Sequence, residues 1–480
     1  MINKNEIVHM RKSLAAELLI HYFNDTLFDE IDHVPLKRAP KTKASLRCCV
    51  YKDRAMYRYR LLSLLGIDVE NDDDEFRAIS SYAEEALERK TISSKILTII
   101  DIACAACQQN SYLVTDVCKG CVARPCESNC PTNAIQIING KSLINQELCI
   151  SCGKCKEVCP YNAIVYSPVP CEEQCPVNAI SRDPVSGREI IDYDKCIYCG
   201  RCTRSCPFGT IMERSQIIDV AKHLKHKETP VIALVAPAIV GQFPGTTGQV
   251  VTGLKNMGFD YVYEVAFGAD ITAKHEAKEL IEKIGEGQPL LGTSCCPAYV
   301  ESVRKHVKAF EPFVSSTRTP MSYTAELAKK EHPDATTVFI GPCIAKKFEG
   351  TQDKYVDNVL TYEELASFFL AKHIELMELA DGEFSTDKAT LEARRFCVDG
   401  GVTETVKYYA KKLDPDFEVK PVVINGLDKK GLGKLKLAAM GKLPNCNLLE
   451  CMSCEGGCLA GPGVVVPPNV SIRKLEKLKH

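Results

Sequence analysis

Sixteen of the 26 cysteines fall between Cys104 and Cys206, and this density constrains the fold more than any other feature of the sequence. A disulfide framework of this size is typical of short secreted proteins from oxidising compartments. This chain has 480 residues, and its N-terminal apolar stretch, 14–20, is interrupted by Glu17, unlike the apolar core of a secretory signal. The sequence therefore predicts a reduced, cytoplasmic protein whose cysteines hold metal.

Composition and charge exclude further classes of protein. The apolar content of 45% and the charged content of 25% are ordinary for a globular protein. The 60 basic and 62 acidic side chains leave a net charge of −2, so we expect neither a nucleic-acid partner nor an anionic membrane. The longest clean apolar run, Val231–Val240, includes Pro237 and is too short to cross a bilayer.

Residues 1–100 are predicted to form a helical N-terminal domain, the first part of a multidomain α+β protein. Apolar residues recur near helical spacing in three segments, Arg11–Phe23, Tyr51–Leu65 and Asp74–Arg89. The basic, proline-punctuated segment Lys37–Lys43 is predicted to be a loop. We interpret the adjacent pair Cys48–Cys49 as buried structural thiols, with a regulatory role as the alternative.

Residues 101–212 contain an internal repeat. The segment Pro125–Ile135 is echoed by Pro170–Ile180, and Leu148–Pro160 is echoed by Lys195–Pro207. In both pairs the cysteines keep the same spacing, and the last cysteine is followed by proline. The sequence therefore contains two copies of one module.

The second segment of each copy carries the spacing CxxCxxCxxxCP, which is typical of bacterial ferredoxins. In such proteins three thiolates hold one 4Fe-4S cubane, and the fourth reaches the neighbouring cluster. The segment Cys118–Pro131 is a loosened variant of the pattern. Zinc is the alternative because CxxC pairs also suit Zn²⁺, but a third cysteine two residues on and the final Cys-Pro favour iron–sulfur clusters.

Counting ligands by this crossover rule predicts four 4Fe-4S clusters in two interleaved ferredoxin-like domains. The four sets are Cys118, Cys121, Cys126 and Cys159; Cys149, Cys152, Cys155 and Cys130; Cys196, Cys199, Cys202 and Cys175; and Cys104, Cys107, Cys171 and Cys206. The last set encloses a second ferredoxin, about 110–168, inserted into the first. A local zinc site formed by Cys104, Cys107, Cys118 and Cys121 is the alternative. Clusters in series predict electron transfer to a redox centre.

Residues 228–480 are predicted to form a two-lobed α/β catalytic domain. Short β-rich runs at Val231–Val235 and Thr337–Ile340 alternate with helical patterns at Ala273–Ile284 and Tyr323–Lys330. Polar groups of such folds gather beyond the carboxyl ends of the strands. We therefore expect the functional site at that edge of the sheets.

Three cysteine-bearing segments of this region, Thr293–Pro297, Gly341–Glu349 and Glu450–Cys458, resemble in order and separation the signature segments of the FeFe (iron-only) hydrogenases. The resemblance extends over residues 100–465, including the ferredoxin region. It implies an H-cluster, which is a 4Fe-4S cubane joined through one cysteine sulfur to a two-iron unit with CO, cyanide and azadithiolate ligands. It also implies anaerobic, reversible oxidation of H2 to protons, a ferredoxin or similar electron carrier, and dedicated maturation proteins.

By motif position, the resemblance implies that Cys296, Cys343, Cys454 and Cys458 hold the cubane, with Cys458 as the bridging thiolate. It also implies that Lys346 hydrogen-bonds a cyanide ligand and that Met452 packs near the bridging carbonyl. The other implied pocket positions are Pro237, Phe396 and Gly341. A lysine near anionic cyanides would provide charge-assisted hydrogen bonds.

The resemblance further implies a proton relay that starts at the Cys295 thiol and includes Glu276, Ser315 and Glu279. Heterolytic cleavage of H2 releases a proton, which needs a chain of exchangeable groups to reach water. Glu276 and Glu279 are three residues apart on a predicted helix and share one face. Taken singly, the two glutamates are more typical of solvated surface charges, and Ser315 of a helix cap or loop hydroxyl.

Departures from the best-known members concern the pocket. Gly341 stands at a methionine position, Tyr299 at a tryptophan, Ala238 at a serine and Met321 at a glutamine. Together with the helical N-terminal domain, these differences resemble the less-studied branch called group B. The predicted function is a cytoplasmic hydrogenase that exchanges electrons with ferredoxin. The alternatives are an H2 sensor and a non-catalytic iron–sulfur assembly protein, in which the cysteine corresponding to Cys295 is often altered or absent.

Overall fold

The computed structural model describes residues 6–72, 74–107 and 111–477. The predicted domain limits at Met1, Asn110 and His480 lie outside these residues. The first part of the described chain is helical, with α1 (Glu6–Phe23), α2 (Leu27–Glu30), α3 (Val34–Arg38), α4 (Val50–Leu64) and α5 (Ile79–Glu88). Fully buried leucines of α1 and α4, such as Leu14 and Leu61, form the core between these helices.

Two predicted boundaries in this part are wrong. Helix α5 begins at Ile79 rather than Asp74, because Asp74 Oδ1 accepts hydrogen bonds from the backbone N–H groups of Phe76 and Arg77, at 3.0 and 3.1 Å. These bonds make a local turn that competes with the helix. The loop predicted over 37–43 begins only after Arg38, because Lys37 and Arg38 form the end of α3. Pro35 lies in the first turn of this helix, where proline is favoured.

The interpretation of Cys48 and Cys49 as buried thiols is also wrong, because both side chains are exposed. They lie just before α4, with their Sγ atoms 3.8 Å apart. The preceding loop is anchored by the buried Asp53, whose Oδ2 accepts hydrogen bonds from Ser45 Oγ at 2.7 Å and Leu46 N at 2.8 Å. The anchor is therefore a carboxylate, and the two thiols remain at the surface.

The cysteine-rich part consists of nested antiparallel strand pairs. Strand β1 (Leu97–Ile99) pairs with β8 (Ile211–Glu213), and within this pair β2 (Ser111–Val114) pairs with β5 (Ile164–Ser167). Ser111 lies opposite Ser167, so the two ends of the segment between them meet. The remaining elements are α6 (Pro125–Ser128), β3 (Ile135–Ile138), β4 (Lys141–Ile144), α7 (Lys154–Glu157), α8 (Pro170–Gln174), β6 (Ile180–Arg182), β7 (Glu189–Ile191) and α9 (Arg201–Ser205).

The last part contains two parallel sheets, which confirms the predicted alternation of strands and helices. The first sheet has the order β10-β9-β12-β13, and the second has the order β11-β15-β14. The strands are β9 (Val231–Val235), β10 (Tyr261–Glu264), β11 (Leu291–Gly292), β12 (Thr336–Gly341), β13 (Asn358–Thr361), β14 (Pro421–Asn425) and β15 (Leu448–Met452). Strands β9 and β12 are buried along their whole length, as parallel strands covered on both faces are.

Helices pack around these sheets. They are α10 (Ile217–Lys225), α11 (Thr247–Met257), α12 (Val265–Gly285), α13 (Pro297–His306), α14 (Pro320–Glu331), α15 (Ala345–Gln352), α16 (Tyr362–Ala371), α17 (Leu391–Arg394), α18 (Gly401–Leu413), α19 (Lys429–Ala439) and α20 (Pro468–Lys477). Across the described ranges, no helix is long and apolar enough to span a membrane.

A buried ion pair connects α1 with α16. Arg11 donates Nε and Nη2 to the two carboxylate oxygens of Glu363, both at 3.0 Å. Next to it, Lys347 Nζ donates to Glu364 Oε1 at 2.9 Å. Removing one partner of such a pair leaves an unpaired buried charge, which costs about 3–5 kcal/mol. The N-terminal helices are thus packed firmly on the region that contains the parallel sheets.

Candidate functional site

A mainly apolar cavity of about 90 Å³ lies at the carboxyl ends of strands from both parallel sheets. Segments that follow β9, β11, β12 and β15 contribute to its wall, as expected for ligand sites in parallel α/β folds. The wall contains five of the six cysteines of the three signature segments, Cys295, Cys296, Cys343, Cys454 and Cys458. The fold therefore brings together side chains that are far apart in the sequence.

Local structure explains how three of these cysteines reach the wall. Cys296 is the N-cap residue of α13, and Pro297 occupies the first helical turn, which suits its fixed backbone angle. The turn between Cys454 and Cys458 needs Gly457 at φ +78°, where a side chain would meet the Cys397 carbonyl oxygen at 2.6 Å. This glycine lets the chain bend tightly, so that both cysteines face one cavity.

The donor set fits an iron–sulfur group. Four thiols, from Cys296, Cys343, Cys454 and Cys458, share one cavity, and soft thiolates are the ligands that iron–sulfur clusters take. Much of the remaining wall is apolar, as at Ala236 and Val265. Such a wall keeps water away from a bound cluster and lowers the local dielectric.

Among the residues that the structure describes, Lys346 is the one lysine in the cavity wall. Burial opposes the charge on its ammonium group, but the carboxylate of Glu349 outweighs this effect and raises the pKa of Lys346 above its usual value. The Nζ donates to Glu349 Oε2 at 2.6 Å. A fixed positive charge with further donor capacity therefore faces the cavity.

Glu276 of α12 is fully buried beside Cys295. Its Oε1 accepts hydrogen bonds from the backbone N–H of Ser294 at 2.9 Å and from Ser294 Oγ at 3.0 Å. Its Oε2 has no hydrogen-bond partner within the described part of the chain. Burial raises the pKa of Glu276 to about 7, so this carboxyl group can hold or release a proton near neutral pH.

Glu279, one turn further along α12, lies in a different hydrogen-bond group. Ser315 Oγ donates to Glu279 Oε2 at 2.6 Å, and Ser316 N and Oγ donate to Oε1 at 3.0 and 2.9 Å. Ser315, Ser316 and Ser294 line a second cavity of about 450 Å³ that opens to the surface. Glu279 is therefore connected to the side of the protein where water has access.

The predicted relay residues thus form two groups, Cys295 with Glu276 and Ser315 with Glu279. No direct hydrogen bond joins Glu276 to Ser315 among the residues that the structure describes. The sequence reasoning missed Ser294, which binds Glu276 and also donates to the Thr317 carbonyl oxygen at 2.7 Å. Its place next to Cys295 in the signature segment was the available signal.

Some of the other predicted pocket residues line the cavity and one does not. Pro237, Met452 and Phe396 line the cavity, whereas Gly341 does not. A side chain at Gly341 would meet the Phe339 ring at 2.6 Å, so the phenylalanine occupies the space next to the cavity that a larger residue at 341 would need. Phe339, which the sequence reasoning missed, lines the wall instead. The lack of a side chain at Gly341 and the ring of Phe339 fit together, so neither residue taken singly predicts how the space is filled.

The cysteines of two of the predicted cluster sets lie in the segment between β2 and β5. Cys118, Cys121, Cys126 and Cys159 line one cavity. Cys155 packs with Cys130 and Cys149 in one cluster of side chains, and burial followed by the nearby thiols of Cys149 and Cys152 raises the pKa of Cys155.

The other two sets lie outside this segment. Burial, and then the neighbouring Cys104 and Cys206, raise the pKa of Cys107. Cys206 is also one of the groups that raise the pKa of Cys171, to about 12, although burial is the main cause. Burial, and then the nearby thiols of Cys199, Cys196, Cys175 and Cys171, raise the pKa of Cys202. Within the described ranges, no three His, Cys, Asp or Glu side chains converge around a single-ion site.

The ferredoxin part touches the main cavity directly. Cys199 lines the cavity wall and lies close enough to Cys454 to raise the pKa of that thiol, after burial and the nearer cysteines. Beside it, the ring of Tyr198 stacks on Phe348 with centroids 4.4 Å apart. A cluster held by Cys199 would therefore be adjacent to one held by Cys454.

Comparisons with known proteins agree with this site. Residues 229–462 match the C-terminal domain of the iron-only hydrogenase large subunit, 143–165 match a 4Fe-4S binding domain, and 165–217 match the LdpA Fe-S cluster-binding domain. The periplasmic [Fe] hydrogenase large subunit of Nitratidesulfovibrio vulgaris is 31% identical over 54% of this chain and 74% of its own length. The chain belongs to the iron-only hydrogenase family.

Other relatives of this hydrogenase-family chain include both hydrogenases and iron–sulfur cluster assembly factors. Iron hydrogenase 1 of Clostridium pasteurianum is 28% identical over 81% of this chain and 76% of its own length. A probable cytosolic Fe-S cluster assembly factor of Drosophila erecta is 24% identical over 47% and 59%. A solved apo [FeFe]-hydrogenase from Chlamydomonas reinhardtii is 22% identical, covers 53% of this chain and 85% of its own, and has a TM-score of 0.45. Family membership supports an oxidoreductase with 4Fe-4S clusters and an H-cluster.

Proposed function

We propose that this protein is a FeFe hydrogenase that catalyses H2 ⇌ 2H⁺ + 2e⁻ and exchanges electrons with ferredoxin. The observation that carries the proposal is the cavity that places the Cys295 thiol beside four potential cluster ligands and the buried carboxyl group of Glu276. Hydrogen chemistry needs a soft redox-active metal and a proton acceptor at one place.

Cys296, Cys343, Cys454 and Cys458 would hold the cubane of the H-cluster, with Cys458 bridging to the two-iron unit. When bound, this group supplies the redox-active iron at which H2 is split or formed. Lys346 offers donor capacity to anionic ligands of the group while Glu349 fixes the position of its Nζ. Pro237, Phe396 and Met452 exclude water around it.

Protons leave and arrive through side chains of this chain. The Cys295 thiol passes a proton to Glu276, whose pKa near 7 makes transfer easy in both directions at neutral pH. Among the described residues no direct bond joins Glu276 to Ser315, so the relay would need a further exchangeable group between them. Ser315 then hands the proton to Glu279 at the edge of the open, polar cavity.

The four cysteine sets would hold four accessory 4Fe-4S clusters, which supply a path for electrons when bound. The proximity of Cys107 and Cys171 to Cys206 supports the set that encloses the inserted ferredoxin. The meeting of Ser111 and Ser167 supports an insertion with adjacent ends. The set with Cys199 would be the one next to the H-cluster.

The similarity to cytosolic iron–sulfur assembly factors raises a non-catalytic alternative, and an H2 sensor is the other. Cys295 favours the hydrogenase over both, since a thiol in the wall beside a buried carboxyl group has a use in proton transfer and none in merely holding a cubane.

Infrared spectroscopy of protein matured with hydrogenase maturation proteins tests the proposal. We expect CO and cyanide bands together with H2 production from reduced methyl viologen. The same chain expressed without maturation proteins should carry iron–sulfur cubanes and be inactive. Matured protein without these bands would favour the assembly-factor alternative, and bands without turnover would favour the sensor.

A further inference from the structure

The two copies of the ferredoxin module share one backbone shape around their central cysteines. In the first, Cys149-Ile150-Ser151-Cys152-Gly153, Ser151 and Gly153 have φ of +54° and +79°. In the second, Cys196-Ile197-Tyr198-Cys199-Gly200, Tyr198 and Gly200 have φ of +55° and +72°. Short helices α7 and α9 follow at the same point. Equivalent residues therefore present equivalent surfaces.

In the second copy this surface is an interface. Ile197 is only 1% exposed, and Tyr198 stacks on Phe348 of the catalytic region. The guanidinium of Arg201 donates to the Ser453 carbonyl oxygen at 2.6 Å. Cys199, at the centre of this face, lines the H-cluster cavity. The face thus joins a ferredoxin module to a redox partner inside the same chain.

In the first copy the same surface is open. Ile150, the counterpart of Ile197, is 64% exposed, and Leu148 is 48% exposed. Cys152, the counterpart of Cys199, is exposed, and it is the one predicted cluster ligand of the described chain that is. Lys154, the counterpart of Arg201, is also exposed. Exposed apolar side chains grouped around a redox centre mark an interaction site.

We propose that this open face, Leu148–Lys154 together with Lys156, docks the electron-carrier protein, a small acidic iron–sulfur protein of the ferredoxin class. The inference rests on the proposed function and names its docking site. Apolar contact would come from Ile150 and Leu148, as Ile197 provides it in the second copy. Lys154 and Lys156 are exposed on the face and Glu147 and Glu157 are exposed at its edges, so the two ammonium groups at the centre would contact acidic side chains of the partner.

One electron moves at each encounter, from the reduced cluster of the carrier to the cluster held by Cys149, Cys152, Cys155 and Cys130. The carrier cluster is oxidised, the cluster of this chain is reduced, and no covalent bond forms or breaks. The face is small, which suits a weak and rapidly released complex, since electron-transfer encounters bury less surface than stable interfaces.

The test measures binding of a bacterial 2[4Fe-4S] ferredoxin to the full chain carrying its accessory clusters, by calorimetry at low ionic strength. Ile150→Asp and Lys154→Glu should each raise the Kd by about tenfold. Val185→Asp is the matched control, because Val185 is 94% exposed in the β6–β7 turn, outside the face, and should leave the Kd unchanged. The H-cluster is not needed for this measurement, so binding is tested even if the proposed catalytic function fails.

Turnover of matured protein provides the second readout. Ile150→Asp should raise the KM for reduced ferredoxin while the rate with methyl viologen, which needs no docked protein, is retained. Unchanged Kd and KM in both variants would overturn the proposal. Equal losses with ferredoxin and viologen would also overturn it, because they would indicate damage to the clusters. Self-association of the parent that Ile150→Asp abolishes would assign the face to a second copy of this chain instead.

Discussion

The segment between β2 and β5 and the main cavity bring cysteines together in different ways. In the segment between β2 and β5, Cys118, Cys121 and Cys126 come from the short stretch 118–126, and Cys159 lies shortly before β5, which pairs with β2. In the cavity, the cysteines follow different strands of two separate parallel sheets. The first arrangement needs a short piece of chain, and the second needs the whole catalytic fold.

The two regions also differ in how far their side chains are exposed to solvent. In the segment between β2 and β5, Cys152 is exposed, and so are the apolar residues Leu148 and Ile150 near it. Beside the main cavity, Glu276 is completely buried next to Cys295, and burial raises the pKa of its carboxyl group. Cluster loss in one region should therefore leave the other intact, which the following variants test.

The largest effect is expected from Cys458→Ala. Without the sulfur that connects the two halves of the H-cluster, the two-iron unit should be lost and hydrogenase activity abolished, while the accessory clusters are retained. Infrared bands and iron content measure this outcome. Cys397→Ala is the matched control, because Cys397 lines the same cavity without being a predicted ligand. Retention of CO and cyanide bands in Cys458→Ala would contradict its bridging role.

Cys295→Ala should keep the H-cluster and lose turnover by about 100-fold or more, the usual cost of removing a general acid–base group. A thiol exchanges protons and a methyl group does not. Turnover with methyl viologen is compared with the intensity of the infrared bands, and Cys446→Ala serves as a control outside the cavity wall. Near-normal turnover would mean that protons take another route.

The double variant Cys104→Ser/Cys107→Ser should lose one cubane, about four irons, and keep the clusters of the inserted ferredoxin. The double variant Cys48→Ser/Cys49→Ser is the control, because this pair is exposed and belongs to none of the four sets. Iron and zinc analysis of each protein decides the result. Zinc present in the parent and lost from the Cys104/Cys107 variant would instead support the local zinc site.

The variant Glu276→Gln tests how the buried carboxyl group of Glu276 makes the free energy of unfolding depend on pH. Burial raises the pKa of Glu276 to about 7, so the folded protein binds an extra proton from about pH 4.3, the unfolded pKa, up to about pH 7. The free energy of unfolding contributed by Glu276 therefore falls as pH rises through this window. Glutamine does not titrate, so the variant should gain about 3 kcal/mol over the parent between pH 4.5 and pH 7.5. Denaturant unfolding at several pH values measures the difference, and a constant difference would contradict the pKa shift.

Much of the site could be predicted from local pattern. The positions Glu276 and Glu279 share a face of α12, and the ferredoxin spacing is readable because two-residue gaps are dictated by the size of a cluster. The separation of Glu276 from Ser315 could not be predicted. It depends on how the loop that contains Ser294 passes over α12, and that is decided by packing between elements.

Burial was the least predictable property. Cysteine is a residue type that is often buried, which is why Cys48 and Cys49 are predicted to be buried. The loop before them is anchored through Asp53 instead, and both cysteines are exposed. Ile150 and Ile197 occupy the same position of a repeated module, and one is open while the other is covered by the catalytic region. The same residue type at the same position of the repeat has opposite exposure, because exposure depends on what the rest of the chain places beside it.

The sequence by itself determined the ligand chemistry of this protein, since cysteine spacing sets which thiols can reach one cubane and the signature segments carry the family resemblance. Only the tertiary structure decided which thiols share the main cavity, which carboxyl group is buried beside Cys295, and which ferredoxin face stays open. The physical reason is the distance along the chain over which each effect acts. Spacing acts within one turn of chain, whereas burial, pKa and access to partners arise from contacts between distant segments.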